Sequence, residues 1–143
     1  MAGTAQEAKQ LLTFRVRPDT LAHLRRRTRE VGLGQTALAE RYLEEGLRQD
    51  ENPLIYFREG ATGRRAALIG TRLDVWQVIE TVKHAGNSLE DAAAYLELPI
   101  ERVRACVRYY AQYQDEVDDW SARAASMSER EEAIWRRQHE VLG

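Results

Sequence analysis

The sequence predicts a mainly α-helical chain with short β elements, and three patterns carry that prediction. Apolar residues recur at helical spacing in six stretches, from residue 18 to 48, from 74 to 110 and again near the end. Strict apolar/polar alternation is confined to about 11–17, and two short apolar-containing runs within 54–70 flank a glycine-containing turn. Apart from Gly46, the prolines and glycines from residue 18 onward fall between these patterns rather than inside them. At 143 residues and 43% apolar content the chain is one domain or two very small ones, with enough apolar surface for a core.

The first element is "LTFRVR". Side chains alternate across a strand, so Leu12, Phe14 and Val16 share one face and Thr13, Arg15 and Arg17 the other. Pro18 suits the first position of a helix, and Leu21, Leu24, Thr28 and Val31 follow at helical spacing. "EVGLG" ends that helix, with Gly32 suited to the left-handed cap. A second helix is expected from about Gln35 to Arg48, with Leu38, Tyr42, Leu43 and Leu47 available to a core. A strand and two helices this short cannot bury enough apolar surface alone, and the strand has no partner within its unit. A second copy is the simplest partner: two strands pairing antiparallel about a two-fold axis would repeat Thr13, Arg15 and Arg17 on an outward ribbon, which fits the major groove of B-DNA. The competing reading is an edge strand of a single mixed domain.

"LTFRVRPDTLAHLRRRTREVGLGQTALAERYL" resembles a ribbon-helix-helix DNA-binding domain of the kind found in bacterial repressors and antitoxins. The resemblance implies a homodimer joined through strand 12–17. It also implies base reading by Thr13, Arg15 and Arg17, and a phosphate held by backbone N–H groups near Gly34, Gln35 and Thr36. Gly34 departs from the serine or threonine that many relatives carry there. Arg26, within the run Arg25 to Arg29, is a candidate phosphate contact, and a solvated face is the alternative for the whole run.

Residues 49–54, "QDENPL", read as a linker. "LIYF" and "RRAALIG" flank "REGATG" and predict a hairpin; the lysine and hydroxyl residue of a phosphate loop are absent from "GATG". A helix follows from about Asp74 and stops at Gly86. Ser88 with Asp91 opens a short second helix, and Ile100, Val103, Val107 and Tyr110 mark a third. The last two form a helix-turn-helix-like pattern. The stretch from "LIGTRLDVW" through "SLEDAAAYL" and "VRACVRYY" to "DEVD" resembles a small family catalogued as a domain of unknown function and common in antitoxins. Such proteins are typically encoded beside a toxin with a PIN-like nuclease fold, which implies that partner here. Arg104 and Arg108 offer either a second DNA contact or a salt-bridged surface with Glu101, and the nearby acidic Glu97 and Glu101 favour the latter. Trp76, Tyr109, Tyr110 and Tyr113 are expected in the core rather than on a nucleobase platform.

Divided along the chain, the formal charge of -2 separates into about +3 over 1–48, -1 over 49–113 and -4 over 114–143. In the acidic tail, Ser128 with Glu131 predicts the start of a terminal helix carrying Ile134 and Trp135. That helix either lies on its own middle module or docks on a partner through Ile134, Trp135, Arg136 and Arg137, with Trp120 further up the tail.

The composition excludes several classes. Cys106 is the single cysteine, so no disulfide framework exists and a buried thiol is expected. His23, His84 and His139 are too scattered for a metal site, and neither a metal nor a cofactor is expected. No set of nucleophile, base and orienter suggests an enzyme. No apolar run suits a signal peptide or a membrane span, so a cytoplasmic chain is expected. The reading is an antitoxin with three parts: 12–48 for DNA binding and dimerisation, 54–113 as a hairpin and helix-turn-helix-like module, and 114–143 for the toxin. A stand-alone repressor and a dimeric scaffold without DNA binding are the alternatives.

Overall fold

The computed structural model describes residues 7–143, which form six helices and one two-stranded antiparallel sheet. The chain divides into two compact units at Leu43/Glu44. In the first, Pro18 opens α1 (Pro18–Val31), and Gly32 closes it at φ +72°, its N–H donating to Thr28 O at 2.9 Å. Leu21, Leu24, Thr28 and Val31, the residues expected on the apolar stripe, are the half-buried positions of α1. Helix α2 is Gln35–Glu51. Leu38 is the one fully buried side chain among the described residues of this unit; Tyr42 and Leu43, expected in a core, are exposed, and so is Leu47 further along α2.

Residues 12–17, expected as a strand, form no β ladder in the single chain. The reason is elementary: a strand is defined by inter-strand hydrogen bonds, and the two strands the chain does form pair with each other.

The second unit holds the core. Strand β1 (Ile55–Gly60) pairs with β2 (Gly63–Leu68) in the register Ile55 opposite Leu68 through Gly60 opposite Gly63. The two-residue turn needs Gly63 at φ +130°, where a Cβ would also sit 3.3 Å from the Trp120 ring. Helices α3 (Val75–His84) and α5 (Ile100–Gln112) pack against the hairpin, and α4 (Leu89–Leu96) packs on both of them. They bury Val75, Val78, Ile79, Val82, Ala92, Val103, Cys106 and Tyr109 with Ile55 and Leu68. Ser88 caps α4 as expected, accepting the Asp91 N–H at 3.1 Å. Tyr109 is fully buried, and Trp76, Tyr110 and Tyr113 are half-buried against the core, as expected for packing residues.

Two expectations need correction. The first half of the supposed linker is helical, because α2 continues to Glu51. Asn52 is then buried, its side-chain amide donating to Arg48 O and Gln112 Oε1. The terminal helix does not begin at Ser128, since α6 runs unbroken from Gln114 to Leu142. Its first turns lie against α3 and α5 with Val117 buried, so nucleation is already supplied, and no Gly or Pro interrupts "SARAASM".

Burial pushes the Cys106 thiol up to about 12. Its folded value lies above the unfolded one near 9.0, so this group favours folding fully below pH ~9 and progressively less as pH rises through that window. We expect no reaction with a thiol reagent at pH 8 in buffer and full reaction in denaturant; labelling of the native protein within minutes would refute the burial.

Among the described residues no helix is long and apolar enough to cross a membrane.

Candidate nucleic-acid and partner interfaces

In the first unit Thr13, Arg15 and Arg17 are exposed, and so are Leu12, Phe14 and Val16, at 65, 70 and 43%. Phe14 and Val16 line an open apolar cleft of about 480 Å³ with Leu24, Ala39, Tyr42 and Leu43. Thr13, Arg15 and Arg17 do not line it, so the alternation read from sequence separates an apolar side from a cationic one. Arg17 lies 3.6 Å from Asp19.

At the start of α2, Gly34, Gln35 and Thr36 are exposed. The Leu38 N–H is the first to bond within the helix, to Gly34 O at 3.0 Å, which leaves the N–H groups of the preceding turn as outward donors. A Cβ at Gly34 would meet nothing within 4 Å, so the glycine is not sterically required. Arg25 donates to Gln35 Oε1 at 3.4 Å, which brings a guanidinium beside these donors. Within the run Arg25 to Arg29, from which Arg26 was the candidate, Arg25 is the member that bonds Gln35 at the start of α2, since facing between helices is not a local property.

Two charge clusters organise the second unit. Asp74, almost fully buried, accepts from Arg58 at 2.5 and 2.9 Å, from Arg65 at 2.5 Å and from Trp76 Nε1 at 3.2 Å. The Asp74 N–H in turn donates to Gln77 Oε1 at 2.8 Å. Burial works most strongly against the Arg58 charge, but the bond to Asp74, the Asp74 charge and Tyr56 together outweigh it and raise its pKa. In the second cluster Arg48 donates to Tyr109 Oη at 3.0 Å and to Glu116 at 2.8 Å, while Tyr109 donates to Glu116 at 2.6 Å. Burial disfavours the Arg48 cation, and Glu116 more than compensates, so its pKa is raised; burial first and Glu116 second raise that of Tyr109. Both clusters were invisible in sequence, since Asp74 gathers arginines 9 and 16 residues away and the Arg48, Tyr109 and Glu116 cluster joins residues 7 to 68 apart.

On α5, Arg104 pairs with Glu101 at 2.7 Å, the salt-bridged surface favoured above. On α6, Trp120 lies on its own hairpin, against Gly63, with its ring 5.9 Å from the Arg65 guanidinium and 4.9 Å from that of Arg123. It is committed to the chain's own fold, unlike the other candidate contacts of the tail. From Glu129 onward every residue except Ala133 is exposed. Ile134, Val141 and Leu142 line a shallow groove with Arg137 and Gln138, and Trp135 stacks on His139 at 3.8 Å. Arg136 is held by Glu132 at 2.7 Å.

Among the described residues no cluster of His, Cys, Asp and Glu could hold a metal ion. No family model matches the sequence, and neither the curated proteins nor the solved structures contain a match to it.

Proposed function

We propose that the chain is an antitoxin: a ribbon-helix-helix dimer that binds its own operator through Thr13, Arg15 and Arg17, and that neutralises a PIN-like nuclease through the end of α6. The carrying observation is the first unit, where one fully buried side chain accompanies an uncovered apolar cleft edged by Phe14 and Val16. A surface of that kind on so small a unit needs a cover, and antiparallel pairing of 12–17 with a second copy supplies both the cover and the missing strand partner. It also doubles the cationic side. The outward N–H groups near Gly34, Gln35 and Thr36, with Arg25 beside them, add a place for a backbone phosphate. The action is binding, without chemistry.

The test uses a duplex covering the region upstream of the reading frame. Arg15→Ala is expected to weaken specific binding by about 1–3 kcal/mol and to relax preference at one position of each half-site, while Arg26→Ala acts evenly on all sequences or not at all. Unfolding midpoints of both variants should rise with protein concentration, as linked folding and association require. Equal loss on operator and random duplex would show that Arg15 reads no base, and midpoints independent of concentration would remove the dimer.

A further inference from the structure

We propose that the cleft between the hairpin turn, the start of α3 and the middle of α6 is a binding site for a small aromatic carboxylate, with the acid group held by Arg65 and Arg123 and the ring by Trp76 and Met127. The inference concerns the second unit alone and does not rest on the antitoxin reading.

The cleft measures about 340 Å³, near the lower end of small-ligand sites, and three elements line it. One face of α6 supplies Trp120, Arg123, Ala124 and Met127, at helical spacings of three and four. Helix α3 supplies Trp76 and Gln77 from its first turn, so the positive end of its backbone dipole opens on the cleft. The hairpin supplies Arg65 from β2. Two of the three tryptophans of the chain thus share one cleft, and both are half-buried.

The inner end of the cleft carries an excess of cation. Asp74 is shared between Arg58 and Arg65, so one carboxylate stands against two guanidinium groups. Arg65 donates from Nε to Asp74 and from Nη1 to Gly63 O at 3.3 Å, and its Nη2 makes no hydrogen bond among the described residues. Arg123 is paired with Asp119 at 2.8 Å, but both side chains are more than half exposed, so a ligand carboxylate can replace that weak contact. The two guanidinium carbons lie 5.9 and 4.9 Å from the Trp120 ring, which gathers both cations around one indole. A quaternary ammonium, a common occupant of aromatic pockets, is disfavoured by the same two cations. Glu131 also lines the cleft, but it stands eight residues beyond Arg123, about 12 Å along the helix axis, and so at the other end. An acid whose carboxylate meets Arg65 and Arg123 lays its ring toward Trp76, Ala124 and Met127, which offer apolar and aromatic contact.

The experiment is a calorimetric titration of the full chain with indole-3-acetate and with indole-3-acetamide, which has the same shape without the charge. The acid is expected to bind with a Kd below about 1 mM and to raise the thermal midpoint, and the amide to bind about tenfold more weakly or worse. Arg123→Gln should weaken the acid about tenfold and leave the amide unchanged. Arg130→Gln removes the same charge from an exposed position of α6 outside the lining and should leave both unchanged. Ala124→Leu fills the cleft and should abolish both. Melting curves show which variants fold, and the exposed Arg123 keeps the test decisive if Ala124→Leu does not. Absence of acid binding up to about 5 mM would overturn the inference, since the site would then hold no ligand of this class. Equal affinity for acid and amide, or equal loss in Arg123→Gln and Arg130→Gln, would overturn the role of the arginines and the proposal with it. Displacement of the acid by a similar concentration of inorganic phosphate would reduce the site to a general anion contact, and acid binding retained in a folded Ala124→Leu chain would place it elsewhere; either result overturns the inference.

Discussion

Asp74→Ala is expected to cost about 3 kcal/mol or more, near the lower end of what removing one partner from a buried ion pair costs, because Arg58 and Arg65 keep partial access to water at 27 and 20%. The carboxylate is only 5% exposed and gathers two guanidinium groups and the Trp76 indole. Its loss leaves two desolvated cations on neighbouring strands and removes what ties the hairpin to the start of α3. Urea unfolding followed by tryptophan fluorescence measures this. Arg123→Ala is the control: its pair with Asp119 at 2.8 Å is more than half exposed, so it should fall within about 1 kcal/mol of wild type. An Asp74→Ala protein as stable as the control would mean that the cluster is electrostatically inert.

The second large effect concerns where α6 can be cut. A chain ending at Met127 is expected to keep its midpoint within a few degrees, since the residues removed are almost all exposed, and to lose toxin neutralisation. A chain ending at Tyr113 is a different molecule. It loses buried Val117, the Glu116 carboxylate between Arg48 and Tyr109, the Trp120 ring on the hairpin and the Asp118 bond to Tyr110, and it should unfold well below wild type. Trp135→Ala alone should reduce affinity for the toxin by about thirtyfold, the equivalent of about 2 kcal/mol for a buried aromatic anchor, with no change in melting. Melting curves and nuclease inhibition on the three proteins decide the matter. A chain ending at Met127 that inhibits the toxin fully would place the docking surface elsewhere.

The local elements were legible because their signals are local. Pro18 and Gly32 bound α1, Ser88 caps α4, and the period of Leu21, Leu24, Thr28 and Val31 marks the side that becomes half-buried. The hairpin was readable for the same reason: two short runs around a glycine-containing turn admit few other arrangements. The alternation of 12–17 likewise separated Phe14 and Val16 from Arg15 and Arg17, although no ladder exists for it in one chain.

What sequence could not decide depends on groups far apart in the chain. The Ser128 capping signal is worth about 1 kcal/mol, and a helix already nucleated against α3 and α5 simply runs through it. The partners of Asp74 come from two strands of a hairpin, Arg25 reaches Gln35 only once α1 and α2 are folded together, and Trp120 is assigned to its own hairpin by the open space over Gly63. Arg136 and Arg137 look alike as neighbours in a list of residues. On a helix they are 100° apart, so one is neutralised by Glu132 and the other stays free beside the apolar face. Composition and period thus determined which elements form and which of their sides are apolar, because those are properties of short stretches. Packing decided which charges are committed and which remain for a partner, because charge pairing is set by distance in space.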